Sequence, residues 1–146
     1  GNDFRTADHL VYINQTMMGG NKILLYIAKK LHSSCLNAID ALLFYERTNR
    51  RLSFTPTEFS SKISIFESEV VPRFRLSSDV VETINELHSV LNEHEESPME
   101  FSRTDKFVIC SEGYETVRTL DINNLKSYMN TIRSFLYSVN EVTKNV

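Results

Sequence analysis

The sequence predicts an all-α protein: an antiparallel up-and-down bundle of about five helices, with a short β-hairpin before the last helix, in one domain over residues 1–146. Three observations carry this. Long stretches place apolar residues at three- and four-residue steps, the period of a helix with one buried face. Capping and breaking residues punctuate those stretches where a helix would start or stop. One late stretch abandons that period for β-branched and aromatic residues around a turn. Short links between the long helices favour antiparallel neighbours.

The first helix is expected over residues 4–18, with Leu10, Ile13, Asn14 and Met17 on one face, and Gly19-Gly20 as its stop. The second follows from residue 22 to about 49 without Pro or Gly. Its stripe is Leu24, Ile27, Ala28, Leu31, Cys35, Ala38, Leu42 and Tyr45, widened by Ile23, Ile39 and Leu43, so it should be central and touched on two sides. Thr55-Pro56-Thr57-Glu58 has the form of a capping box with proline at the first helical position. Phe59, Ile63, Phe66 and Val70 give that helix its buried face, and Pro72 ends the pattern.

Ser77, Ser78 and Asp79 supply the next cap, and Val80, Ile84, Leu87 and Leu91 the next stripe, to about residue 96. Ser97-Pro98-Met99-Glu100 repeats the cap-plus-proline form and suggests one extra turn. The hairpin is read from Lys106 to Cys110 and from Tyr114, Thr116, Val117 and Thr119, around Ser111-Glu112-Gly113. An isolated hairpin is marginal in water, so it should lie against the helices. Asp121 caps the last helix, whose stripe is Leu125, Met129, Ile132, Leu136 and Val139, with Tyr128 and Phe135 at its margin.

The totals narrow the function classes. The 146 residues are 41% hydrophobic and 24% charged, with net charge −3. A chain of this size can bury roughly two-thirds of its extended surface without staples. An acidic balance does not indicate RNA or another nucleic acid as a general partner, since sequence-independent binding draws on an excess of Lys and Arg. Two cysteines, Cys35 and Cys110, are too few for a disulfide scaffold. The opening residues show no basic-then-apolar leader, and no stretch reaches the apolar length of a membrane span, so no membrane partner and a cytoplasmic location are expected.

No residue set reads as a catalytic or metal centre. His9, His32, His88 and His94 share no three- or four-residue spacing, and no Glu stands three residues before any of them. Neither a metal nor any other cofactor is expected. Cys35 follows His32 by three residues on one helical face, a spacing open to a Cys–His nucleophile pair, but its surroundings read as core. Glycine-rich phosphate loops are absent. The candidate ligand-binding residues are Arg47, Arg50 and Arg51 at the end of the second helix, and His94, Arg103, Asp105 and Lys106 in a dense polar loop. The plainer reading of the arginines is charge that complements a helix C-terminus. The acidic run Glu93-His94-Glu95-Glu96 opposes the dipole of its own helix, a broken local rule that draws attention to the loop.

The segment Leu36-Asn37-Ala38-Ile39-Asp40-Ala41-Leu42-Leu43-Phe44-Tyr45-Glu46, in a small helical layout, resembles HEPN-type domains. The chain is also similar to a group of small archaeal proteins through Tyr45-Glu46-Arg47 and the run from Ser97 to Ile109. The first resemblance implies a helical fold, a dimer, and a link to RNA or nucleotides. The HEPN nucleases carry an Arg, four to six residues and then a His. Here the nearest approach, Arg5 to His9, has three residues between. The leading expectation is therefore a non-enzymatic, homodimerising interaction module. The alternative is a HEPN-like nucleotide- or RNA-binding domain, a noncanonical ribonuclease or a nucleotidyltransferase partner, with its basic residues on one concave face. A third reading is a small-molecule pocket lined by Phe59, Phe66, Leu87 and Tyr128.

Overall fold

The computed structural model describes residues 2–7, 9, 22–96, 99–103, 106–110 and 117–144, with side-chain surroundings for 2–7, 9, 23–92 and 120–144. The elements in order are a helical segment at residues 2–7, α1 (Lys22–Thr48), α2 (Phe59–Ile65), a π turn (Phe66–Val70), α3 (Val71–Arg73), α4 (Asp79–Glu96), β1 (Met99–Arg103), β2 (Lys106–Cys110), β3 (Val117–Asp121) and α5 (Ile122–Thr143). The protein is a helical bundle with a small sheet inserted before its last helix. The stop expected at Gly19-Gly20 and the turn expected at Ser111-Glu112-Gly113 lie outside the described residues.

Helix α1 is the central element. Leu24, Ile27, Ala28, Leu31, Cys35, Ile39 and Leu42 are fully buried, and Leu43 nearly so. It packs on α4, α5 and the π turn and also meets β2 and β3, while α4 reaches β2 and α5 reaches β3. The stripe is as wide as the sequence indicates, except at its end. Tyr45 is only half-buried, and Glu46 takes the inward position.

Helices α2, π and α3 form one continuous rod. It starts at Phe59, later than the capping-box pattern indicates. Glu58 is the cap residue, extended at φ −75° and ψ 140°, and its side chain makes no cap bond. Pro56 lies buried in the link before the helix rather than at its first turn. Ahead of Pro72 the rod widens, and the Val71 N–H donates to the Phe66 carbonyl. Proline has no N–H and would crowd the carbonyl four residues back in a regular α-helix, and a π turn relieves that crowding. The rod then stops after Arg73, so Pro72 marks its end closely.

Both α1 and this rod close in the same way. The Arg51 N–H bonds the Glu46 carbonyl at 2.8 Å and the Arg50 N–H bonds the Arg47 carbonyl at 3.0 Å. In the second ending the Leu76 N–H bonds the Val71 carbonyl at 3.0 Å and the Arg75 N–H bonds the Pro72 carbonyl at 3.3 Å. These are Schellman endings, in which one residue past the cap turns left-handed. Arg50 (φ 61°) and Arg75 (φ 53°) occupy that place.

Ser77 Oγ accepts the Asp79 N–H at 3.2 Å as α4 begins. At α5, Asp121 and Asn124 cap each other: the Asn124 N–H bonds Asp121 Oδ1 at 2.8 Å, and the Asp121 N–H bonds Asn124 Oδ1 at 3.1 Å. On α5 the ring of Phe135 is inside, edge-on to Phe66 at 5.6 Å, while Leu136 is half-buried. This reverses the sequence reading, because an aromatic partner across the core favours the larger side chain.

The sheet has three antiparallel strands in the order β1-β2-β3. The predicted hairpin is β2–β3, in the register Val108↔Thr119. Strand β1 was expected as a helical turn. Met99-Glu100-Phe101-Ser102 alternates apolar and polar residues, and pairing with β2 satisfies its backbone. Of the supposed polar loop, residues 94–96 end α4, residues 99–103 form β1 and Lys106 opens β2.

Candidate functional site

Glu46 sits in the last turn of α1 with no exposed surface. A lone buried carboxylate would be strongly unfavourable, so the chain brings it cations. Arg51 Nη1 lies 2.9 Å from Glu46 Oε1, and Arg73 Nη1 bonds Glu46 Oε2. Arg51 can reach back because Arg50 reverses the chain. Arg73 arrives from α3, held also at 3.9 Å from Glu69. The Arg51 guanidinium stands 5.9 Å from the Tyr45 ring centre, and Tyr45 meets Phe74 edge-on at 6.1 Å. The clamp therefore fastens the end of α1 to the end of the rod.

Arg47 and Arg50 sit at the same pole and are exposed. Arg51 and Arg73 pair with the carboxylates of Glu46 and Glu69, and Arg47 and Arg50 add two exposed arginines at the same helix end. Phe44, one turn earlier on α1, is 62% exposed. A positive pole with an exposed ring beside it suits an anionic partner.

Of the residues read from sequence, Arg47, Arg50 and Arg51 come together here. Arg103 and Lys106 are direct partners across β1 and β2. His94 lies in the last turn of α4, and Asp105 lies outside the described residues. Glu46 and Arg73 were missed as site residues. Glu46 had a visible signal, a charge three and four residues beyond Leu43 and Leu42 on the buried stripe. Arg73 had none, because its role is set by packing across the fold.

A second cluster joins three elements. His32 Nε2 on α1 and His88 Nδ1 on α4 are 3.2 Å apart. Their ring centres are 5.4 Å apart in planes 19° from parallel, so the rings meet edge to edge through an N–H···N bond. Phe59 stacks flat on His88 at 3.6 Å. Burial, and then the charge of His88, pushes the His32 pKa down to about 4. Cys35 does not pair with His32 as a nucleophile would. It is fully buried, and burial pushes its thiol up to about 12. A thiol so protonated is a packing group.

The four residues read as a pocket wall have other roles. Phe66 and Leu87 are fully buried in the core, Phe59 covers His88, and the Tyr128 hydroxyl donates to Glu86 Oε2 at 2.7 Å. Among the described residues, no three His, Cys, Asp or Glu side chains are placed to hold a metal ion, and no helix is long and apolar enough to cross a membrane. Comparison of the chain with protein-family models, with curated proteins and with solved structures gives no match.

Proposed function

We propose that the protein is a non-enzymatic interaction module that docks an anionic partner at the pole of α1 and pairs with a second copy of itself. The observation that carries this is the arginine pole. Arg50 holds left-handed backbone where glycine is the easier residue, and such tolerated strain is a pointer to function. The reactive-looking groups meanwhile have structural employment: Cys35 in the core, Glu46 in the clamp. Pairing is supported by Tyr26, Phe44 and Tyr137, large aromatics left 46%, 62% and 69% exposed around a complete core. A reducing cytoplasm suits the buried free thiol of Cys35.

Phe44 favours a second reading, the HEPN-like one, in which the anion is single-stranded RNA and a base stacks on the exposed ring. Fluorescence anisotropy with a single-stranded RNA and with a polyglutamate peptide separates the two. The interaction-module reading expects the peptide to bind, with affinity falling as salt rises and as Arg47 and Arg50 are replaced by Ala. Binding of RNA alone favours the second reading. Affinity indifferent to both substitutions sinks the pole as a site. Light scattering after size exclusion should give the mass of a dimer, and a clean monomer overturns the pairing.

A further inference from the structure

A groove of about 430 Å³ lies between residues 2–7, α1 and α5, away from the arginine pole's clamp. Ala38, Leu136 and Val139 supply its apolar lining. Its walls carry the carboxamides of Asn37 and Asn140 and the carboxylate of Asp3. Ser34 also lines it. That residue is only 5% exposed, and its hydroxyl has no hydrogen-bond partner among the described residues. Several helical hydroxyls turn back onto a carbonyl four residues earlier, as Ser138 does onto Ser134 at 3.2 Å and Thr131 onto Ser127 at 3.3 Å. Ser34 does not, and buried polar groups in native proteins are almost always satisfied. A molecule in the groove can satisfy this one.

The lining says what kind of molecule. Asp3 is fixed in place: the Ser33 hydroxyl donates to Oδ2 at 2.6 Å and Lys30 Nζ to Oδ1 at 3.3 Å. The Ser33 bond chiefly, with help from Lys30, holds its pKa below the usual carboxylate range. Its charge is thus balanced by Lys30, and the groove does not call for an ion. Each carboxamide offers an N–H donor beside a C=O acceptor, the complement of the same edge on a ligand. An apolar lining receives a flat, uncharged face.

We propose that this groove binds a small neutral molecule with an amide edge, an N–H beside a C=O, whose flat face rests on Leu136 and Val139 and whose edge meets Asn37, Asn140 and the Ser34 hydroxyl. The reading is independent of the arginine pole. Uracil carries that edge, and 1,3-dimethyluracil has the same ring without N–H donors, so the pair of probes isolates the chemistry.

Titration of each into isotope-labelled protein, followed by amide chemical shifts, tests the site. Uracil should shift residues 34–38 and 136–143 saturably, and the dimethyl compound should bind at least about tenfold more weakly, the factor for one lost hydrogen bond to a buried group. Ser34→Ala should lower uracil affinity by a similar factor and leave the melting temperature unchanged or raised, because it removes an unsatisfied hydroxyl. Asn140→Ala, at an exposed position, should weaken uracil without unfolding the protein. No saturable shift with uracil, equal binding of both probes, or a lowered melting temperature for Ser34→Ala each overturns the proposal.

Discussion

Arg50 and Arg75 occupy equivalent positions in two separate helix endings, each the left-handed residue that closes a Schellman motif. For a residue with a Cβ that conformation costs about 1–2 kcal/mol relative to the right-handed region, and glycine escapes the penalty but loses more chain entropy on folding. Arg50→Gly and Arg75→Gly should therefore each stabilise the protein by about 0.5–1 kcal/mol. Urea unfolding at neutral pH measures this. If Arg50 serves the pole, Arg50→Gly should also weaken anionic probes. A variant that gains stability and loses binding would separate the two roles in one residue.

The clamp on Glu46 predicts an asymmetry. Its carboxylate has no exposed surface, whereas the side chains of Arg51 and Arg73 are 38% and 33% exposed. Removing one arginine leaves a charge that water cannot reach with a single cation partner and one bare oxygen. Removing the carboxylate charge leaves guanidinium groups that water can reach. Arg73→Ala should thus cost about 3 kcal/mol, and Glu46→Gln, which keeps the shape and an acceptor, about 1 kcal/mol. Equal losses in urea unfolding would mean that the pair contributes through packing rather than charge.

How far the sequence carries the reader depends on how local each cause is. The stripe of α1, the cap at Asp121 and the β2–β3 hairpin are local and were legible. The start of α2 was misread because Thr55-Pro56-Thr57-Glu58 mimics a capping box, while Pro56 is drawn into the core instead. Strand β1 was misread for a related reason: Ser97-Pro98-Met99-Glu100 looks like a helix start, and only the presence of β2 beside it decides for a strand. Arg47, Arg50 and Arg51 are near neighbours in the sequence, so their shared place at the end of α1 is local as well. The groove around Ser34 joins three segments distant in sequence, and a serine in a helix gives no sign of lacking a partner.

Cys35 should behave as part of the core. Full burial and a thiol pKa pushed up to about 12 leave almost no thiolate at neutral pH. Iodoacetamide should label it only through opening of the fold, so peptide mapping should find Cys35 unmodified in the native protein and modified in denaturant. Cys35→Ser puts a hydroxyl in an apolar site and should cost about 1–3 kcal/mol. Rapid labelling of native Cys35 would contradict the burial.

His32 ties stability to pH. In the unfolded chain it takes up a proton near its ordinary value of 6.5, and in the fold burial, with the charge of His88 second, delays this to about 4. Between those two values the unfolded state binds the extra proton, so stability is full above about pH 6.5 and declines as pH falls toward 4. The geometry adds a reason. The N–H···N bond between His32 Nε2 and His88 Nδ1 needs one bare nitrogen, and a pair with both nitrogens protonated must separate. Because His32 is only half-buried, solvent screening reduces the expected loss across the window to about 1–2 kcal/mol. Urea unfolding at a series of pH values should show that slope, and His32→Gln should flatten it. An unchanged slope in the variant would assign the acid sensitivity to other groups.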